Sequence, residues 1–301
     1  MESALVAAIG RTPLVRLTRI ERDVPGLELY GKLEASNPGG SVKDRAARHM
    51  ILEGLRSGAL APGKRLLDAT SGNTGIAYAM LGAALGYSVR LCVPANVTRE
   101  RLRTLRAFGA HVVLTDPMEG SDGAIREARR LHDAEPSWFY PDQYNNPANW
   151  QAHYCTTAPE ILEQTQGRIT HFVAGLGTSG TFVGTVRGLR AVKRDIRTYS
   201  VQPDGPLHAV EGLKHMDSSI VPGIYDPSVA DEDLRVSTED AQAMTRRLAA
   251  SHGLLVGVSS GAALAAALEV AGTVRDAVIV TVFPDGGTRY LSEPFWDEGA
   301  A

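Results

Sequence analysis

At 301 residues, with 44% hydrophobic and 22% charged side chains, the chain has the composition of a soluble globular protein able to bury a sizeable core, as one large α/β unit or two modest domains. A net charge of −3 leaves no electrostatic case for nucleic acid or an anionic membrane surface as partner. Two cysteines, Cys92 and Cys155, are too few for a disulfide framework, and no basic segment leads an apolar one at the N-terminus, so a reducing, cytoplasmic setting is expected. No two histidines stand four apart, and His153 and Cys155 have no further ligand types close by, so no metal site is expected.

Strand-like runs alternate with helical patterns along most of the chain. Short runs rich in Val, Ile and Leu predict strands over Leu27–Lys32, Arg65–Ala69, Ser88–Val93, His111–Leu114, His171–Ala174, Thr198–Gln202 and Ala277–Phe283. Helical periodicity predicts helices over Val42–Leu55, Thr74–Leu85, Arg99–Phe108, Asp122–His132, Thr181–Val192, Thr238–Ser251 and Gly261–Ala271. The βα spacing predicts a doubly wound α/β architecture. Tyr140–Asn149, rich in Pro and Asn, reads as a loop joining two domains. Gly205–Ser228 is irregular and longer than ordinary connections, a length typical of lids and binding loops.

Four loops and one lysine carry the chemistry. In Gly39-Gly40-Ser41-Val42-Lys43-Asp44-Arg45, Lys43 follows a Gly-Gly turn and opens a helix, where backbone geometry can aim its amine into a cleft as a Schiff-base lysine requires. A nucleotide P-loop would need a hydroxyl after the lysine, and Asp44 stands there; a plain surface lysine is the bland alternative. Thr70-Ser71-Gly72-Asn73-Thr74-Gly75 joins a strand to a helix and concentrates hydroxyls and an amide at a helix N-terminus, suited to a carboxylate or phosphate. One N-cap explains one such residue, not four. Within Asp142-Gln143-Tyr144-Asn145-Asn146-Pro147, Gln143 is either a donor to a carboxylate or part of a simple turn.

Gly175-Leu176-Gly177-Thr178-Ser179-Gly180-Thr181 repeats the strand–turn–helix plan. Its glycines fit G-x-G-x-x-G, but no acidic residue ends a second strand at the required spacing, and the hydroxyls at 178, 179 and 181 favour a monophosphate cup over a dinucleotide. In Val256–Gly261, a serine hydroxyl either bonds a ring nitrogen or caps the following helix.

Taken with Ile9-Gly10-Arg11-Thr12-Pro13-Leu14, Asn145-Asn146-Pro147 and Asp285-Gly286-Gly287-Thr288-Arg289-Tyr290-Leu291-Ser292, these motifs resemble the β-family of pyridoxal-phosphate enzymes. That is fold type II, with two doubly wound α/β domains of the tryptophan synthase β-like architecture. Within it the chain is similar to the cysteine synthases (O-acetylserine sulfhydrylases), nearer the B type. Dehydratases of this fold usually carry S-F-K-x-R and S-x-G-N-H; here Val42 precedes Lys43 and Thr74 stands in place of that histidine.

The resemblance implies pyridoxal 5'-phosphate in Schiff-base linkage to Lys43, with Asn73 on the ring hydroxyl oxygen. It implies Gly177, Thr178, Ser179, Gly180 and Thr181 around the phosphate, and Ser259, or else Ser260, at the pyridine nitrogen. Thr70, Ser71, Thr74 and Gln143 would hold a substrate carboxylate. A neutral hydroxyl at the pyridine nitrogen favours the unprotonated ring, and with it elimination and addition at Cβ over transamination.

The implied domains are a smaller mobile one over 36–145 (with 1–12) and a larger cofactor-binding one over 146–301 (with 13–35). The implied reaction replaces the β-substituent of O-acetylserine or O-phosphoserine with a sulfur nucleophile (sulfide, or a thiocarboxylate or thiosulfate donor). Cystathionine, cyanoalanine or diaminopropionate formation is the alternative. Lys214, in Glu211-Gly212-Leu213-Lys214-His215-Met216, stands where some relatives place a cation for a substrate phosphate; a solvated lysine is the other reading. Family relatives are usually homodimers, and some take sulfur from a carrier protein.

Overall fold

The computed structural model describes residues 3–22, 24–70 and 72–297; Ser71 lies outside them. In chain order its strands are β1 (Leu14–Arg16), β2 (Glu28–Leu33), β3 (Arg65–Ala69), β4 (Val89–Pro94), β5 (His111–Thr115), β6 (Trp138–Phe139), β7 (His171–Gly175), β8 (Arg197–Pro203), β9 (Glu232–Val236) and β10 (Val278–Phe283). Its α-helices are α1 (Ala4–Ala7), α2 (Thr18–Glu21), α3 (Lys43–Ser57), α4 (Asn73–Leu85), α5 (Arg99–Ala107), α6 (Gly120–Ala134), α7 (Pro147–Ala152), α8 (Ala158–Gln164), α9 (Gly180–Val192), α10 (Thr238–His252) and α11 (Val258–Thr273).

Two sheets organise these elements. One runs β1-β2-β10-β7-β8-β9 and is parallel except where β1 pairs antiparallel with β2. The other, β5-β4-β3-β6, is parallel throughout. Every residue of β10 is buried, as a strand covered on both faces must be. On one face it meets Leu264 and Ala267 of α11; on the other it meets Phe182, Val186 and Leu189 of α9. The smaller sheet is likewise sandwiched, with Ile76, Ala77 and Met80 of α4 on one side and Ala124, Ile125 and Ala128 of α6 on the other. This is the expected α/β fold with helices on both faces of parallel sheets.

Several elements differ from the sequence reading. The short or polar strands β1, β6 and β9 carry no continuous apolar run and were not anticipated. Helix α7 begins inside the expected joining loop: Pro147 occupies its first turn, and the Asn146 side chain accepts from Ala148 N at 2.9 Å. A π-helical turn, His153–Thr157, then leads into α8. Helix α11 starts at Val258, three residues before the expected start, so both Ser259 and Ser260 lie in its first turn.

The two sheets are tied together under the helix that begins with Lys43. Arg45 Nε bonds Glu34 Oε2 at 2.7 Å, and its Nη1 bonds Glu160 Oε1 at 2.7 Å. Lys32 Nζ reaches Glu160 Oε2 at 2.7 Å and Thr12 O at 2.7 Å. Lys32, Glu34 and Arg45 are all buried, so each charge depends on its partner. Burial by itself raises the Glu160 carboxyl, but hydrogen bonds and charge from Arg45, then Lys32, outweigh it and hold the group down at about 2.

A carboxyl lowered on folding stabilises fully above its unfolded value near 4.5, and that contribution is lost as pH falls toward 2. Glu160→Gln is therefore expected to lower stability by about 3 kcal/mol at neutral pH, measured by urea unfolding. The gap to the parent protein should close between pH 4.5 and 2; a gap that does not depend on pH contradicts the assignment.

Candidate active site

The chain segment before Lys43 is fixed to the end of β10. Val42 N donates to Pro284 O at 2.8 Å, and Ser41 and Asp285 form an antiparallel bridge. Lys43 is thereby placed at the seam between the sheets, where it lines a cavity with Asn73, Gly177, Thr178, Ser179, Thr181, Ser259 and Asp285. Its amine makes no hydrogen bond or ion pair among the described residues. Burial lowers the Lys43 ammonium below its ordinary value, against a smaller upward pull from Asp285. A lysine destabilised as a cation is the more nucleophilic for it.

The turn from β7 into α9 forms one end of the cavity. Ser179 adopts a left-handed conformation, φ 69°, directly before α9, and its hydroxyl is buried with no partner among the described residues. A strained, orphaned serine at a helix N-terminus that also carries free N–H groups is an anion receptor in waiting. Two glycines permit the close fit. A Cβ on Gly177 would lie 2.3 Å from Gly212 O, and one on Gly180 2.1 Å from Asn149 Oδ1. Thr178 Oγ1 accepts from Asn149 Nδ2 at 3.1 Å. Thr181 Oγ1 lies 3.3 Å from His153 Nε2, and His153, fully buried, is held well below its ordinary pKa by burial and then by Arg45 and Lys43.

The turn from β3 into α4 forms a second wall. Thr70 Oγ1 accepts from Gly72 N at 3.1 Å and Gly75 N at 3.0 Å, closing the loop on itself. Thr74 Oγ1 donates to Gln143 Oε1 at 2.8 Å, while Gln143 Nε2 donates to Ala69 O at 2.6 Å. Thr70, Thr74 and Gln143 line one cleft with Lys43, Asn73, Gly177 and Thr178.

Lys214 belongs to the same cleft and is buried. Its Nζ reaches Ser121 Oγ and Asp122 Oδ1, each at 3.2 Å, and lies 5.3 Å from the centre of the Tyr144 ring. It is not the freely solvated lysine of the bland reading. Beside it, Arg101 of α5 pairs with Glu211 of the irregular loop.

A family model described as pyridoxal-phosphate dependent enzyme matches residues 5–285. The chain belongs to the pyridoxal-phosphate-dependent enzymes. It is 51% identical to a cysteine synthase of Aquifex aeolicus, over 98% of this chain and 92% of the relative. It is 44% identical to cysteine synthase B of Escherichia coli, over 98% of this chain and 97% of the relative. It also matches the crystal structure of the O-acetylserine dependent cystathionine beta-synthase of Helicobacter pylori, with a TM-score of 0.92 and 37% identity over 97% of this chain and 98% of that one.

The residues on the cavity wall fit pyridoxal phosphate. The orphaned Ser179 hydroxyl and the start of α9 would take the phosphate, and Lys43 and Asn73 line the same cavity. Of the two serines on α11, Ser259 lines the cavity, whereas Ser260 is fully buried behind it. Of the described candidates, Lys43, Thr70, Asn73, Thr74, Gln143, Gly177, Thr178, Ser179, Thr181, Lys214 and Ser259 line the cavities at this seam; Gly180 opens α9 beside them, and Ser260 does not reach them. The sequence reading gave no site role to Asn149, His153 and Arg101, which reach the site through contacts between distant segments; Tyr144, Tyr290 and Asp285 stood in quoted motifs without an assigned role.

Gly180→Ala should weaken retention of pyridoxal phosphate by tenfold or more, about 1.4 kcal/mol, because its new methyl meets Asn149. Cofactor content after dialysis measures it; retention equal to the parent protein removes this turn from the cofactor site.

Proposed function

We propose that the protein is a pyridoxal-phosphate-dependent cysteine synthase that replaces the β-substituent of an activated L-serine with a sulfur nucleophile. One observation carries the reading: a single seam gathers Lys43, the hydroxyl-rich start of α9 and the Thr70–Thr74 loop. These supply a covalent anchor, an anion cup for the cofactor and a separate anion cup for a substrate carboxylate.

When bound, pyridoxal phosphate supplies the electron sink that stabilises negative charge at the substrate Cα. Thr70, Thr74 and Gln143, with Ser71 of the same loop, hold the substrate carboxylate. The Thr74–Gln143 hydrogen bond keeps that wall preformed. Lys43 would take the Cα proton at Nζ. The β-substituent leaves with its bonding pair, the sulfur nucleophile bonds to Cβ, and Nζ returns the proton to Cα. The smaller sheet and its helices, within 36–145, close toward the larger domain and exclude water during this exchange, while the start of α3 stays fixed to Pro284 and Glu160. The Lys214–Asp122 and Arg101–Glu211 pairs bridge that boundary.

The activating group follows from the same pairs. Lys214 in the cleft and Arg101 beside it are already engaged by carboxylates, so an uncharged acetyl group enters without displacing either pair, and O-acetylserine is the preferred donor. O-phosphoserine is the second reading, carried by Lys214 lining the cleft with Lys43. Sulfide is the simplest nucleophile; a thiocarboxylate on a carrier protein or thiosulfate fits the same step. The likeness to the Helicobacter pylori enzyme supports cystathionine formation as the nearest alternative. Cyanoalanine and diaminopropionate formation share the first half of the reaction. The working form is a cytoplasmic homodimer.

Purified protein loaded with cofactor and mixed with O-acetylserine and sulfide is expected to yield L-cysteine, detected by amino-acid analysis; no cysteine from either serine donor contradicts the proposal. Lys214→Ala is expected to reduce the O-phosphoserine rate about tenfold more than the O-acetylserine rate if the second reading holds. Equal losses discard it.

A further inference from the structure

Asp285 follows β10 and is almost wholly buried, at 1% exposure, yet the proposed chemistry gives it no task. Its Oδ2 accepts from Asn73 Nδ2 at 2.6 Å and from the Tyr290 hydroxyl at 2.6 Å. Its Oδ1 is buried with no partner among the described residues. It lines the cavity shared by Lys43, Asn73 and Ser259, and its backbone bridges to Ser41, two residues before the lysine. Gly257 makes room for it: a Cβ there would lie 2.1 Å from Oδ1.

The amide of Asn73 is held from both ends. A carboxylate can only accept, so Asp285 fixes the nitrogen end; a guanidinium can only donate, and Arg289 Nη1 fixes the oxygen end. The amide cannot turn over, and its second N–H is left for a ligand of the cavity that Asn73 lines. Tyr290 carries the reciprocal mark of this carboxylate: its phenol is raised by burial and by Asp285. The other charged groups at this cluster are Lys43 on α3, Asp44 next to it, which interacts with Arg289 and is pushed up to about 7 by burial, Arg289 itself, Arg101, which lies over the Tyr290 ring at 5.5 Å, and Glu211 on the cavity wall.

We propose that Asp285 is a positioning residue that locks the Asn73 amide toward the cofactor ring oxygen and keeps a negative charge beside the Lys43 nitrogen. The inference rests on the cofactor reading above. With the cofactor joined to Lys43, that charge favours the protonated form of the linking nitrogen.

The test is a pH titration of the visible absorbance of the cofactor-loaded protein, read without substrate. Asp285→Asn keeps the side chain's size, removes its charge, and is expected to lower the apparent pKa of the lysine-bound chromophore by about one pH unit or more. Tyr290→Phe removes one donor from the carboxylate and leaves its charge, so it is expected to move the same titration upward. An unchanged titration in Asp285→Asn overturns the inference, as does a loss of thermal stability with no change in the titration. If Asp285→Asn does not fold, an unchanged or downward shift in Tyr290→Phe overturns it. A parent protein that shows no lysine-bound chromophore at all overturns the cofactor reading instead.

Discussion

The position of one amine governs this molecule. Lys43 Nζ sits at the seam of two independently wound sheets, in surroundings that disfavour its charged form. No single element places it there. The Val42 N to Pro284 O hydrogen bond holds the backbone before it against the larger sheet. Two residues after it, Arg45 is locked by Glu34 and Glu160 into a buried ionic cluster. A buried ion pair of this kind contributes little net stability but imposes a unique geometry, because each partner left alone would be an uncompensated charge. The lysine is thus clamped from both sides along the chain while its own tip makes no hydrogen bond or ion pair among the described residues.

The rest of the site is arranged about that tip by the ends of parallel strands. Strands β3, β7 and β10 all deliver their carboxyl ends to the seam, and helices α4 and α9 start there. Crevices at strand carboxyl ends are where open α/β sheets bind ligands, since helix N-termini bring unsatisfied N–H groups to one place. Two such starts facing one cleft give two anion cups. In the proposed reading, the left-handed Ser179 and the close approaches at Gly177 and Gly180 would form the phosphate end, and the self-closed Thr70 loop the carboxylate end. Residues that bridge the cleft, Lys214 to Asp122 and Arg101 to Glu211, come from the irregular segment Gly205–Ser228 and from the helices of the smaller sheet, which is what a closing device requires.

Much of this was legible in the sequence because the signals are local. Continuous Val/Ile/Leu runs gave the buried strands, such as β4, β7 and β10, within a residue or so of their observed ends. Gly, Ser and Thr clusters marked the two strand-to-helix turns that meet at the seam. What stayed hidden is non-local or pattern-poor. Strand β9 is polar and partly exposed, β6 has two residues, and the helical run from Pro147 to Gln164 begins among turn-forming residues and contains a π turn. The Asp285–Asn73 and Arg101–Glu211 contacts join residues 212 and 110 positions apart, and nothing in local spacing announces such pairs. Lys214 could be named as a candidate, but only its contact with Asp122 decides that it faces the cleft and is not free in solvent.

The central claim is that Lys43 is the residue joined covalently to the cofactor. Borohydride reduction of the protein loaded with pyridoxal phosphate, followed by peptide mass mapping, tests it most directly. The account predicts a single pyridoxyl label, on the peptide carrying Lys43. A label on Lys32, Lys64, Lys193 or Lys214 with Lys43 unmodified, or no label on any lysine, would contradict it.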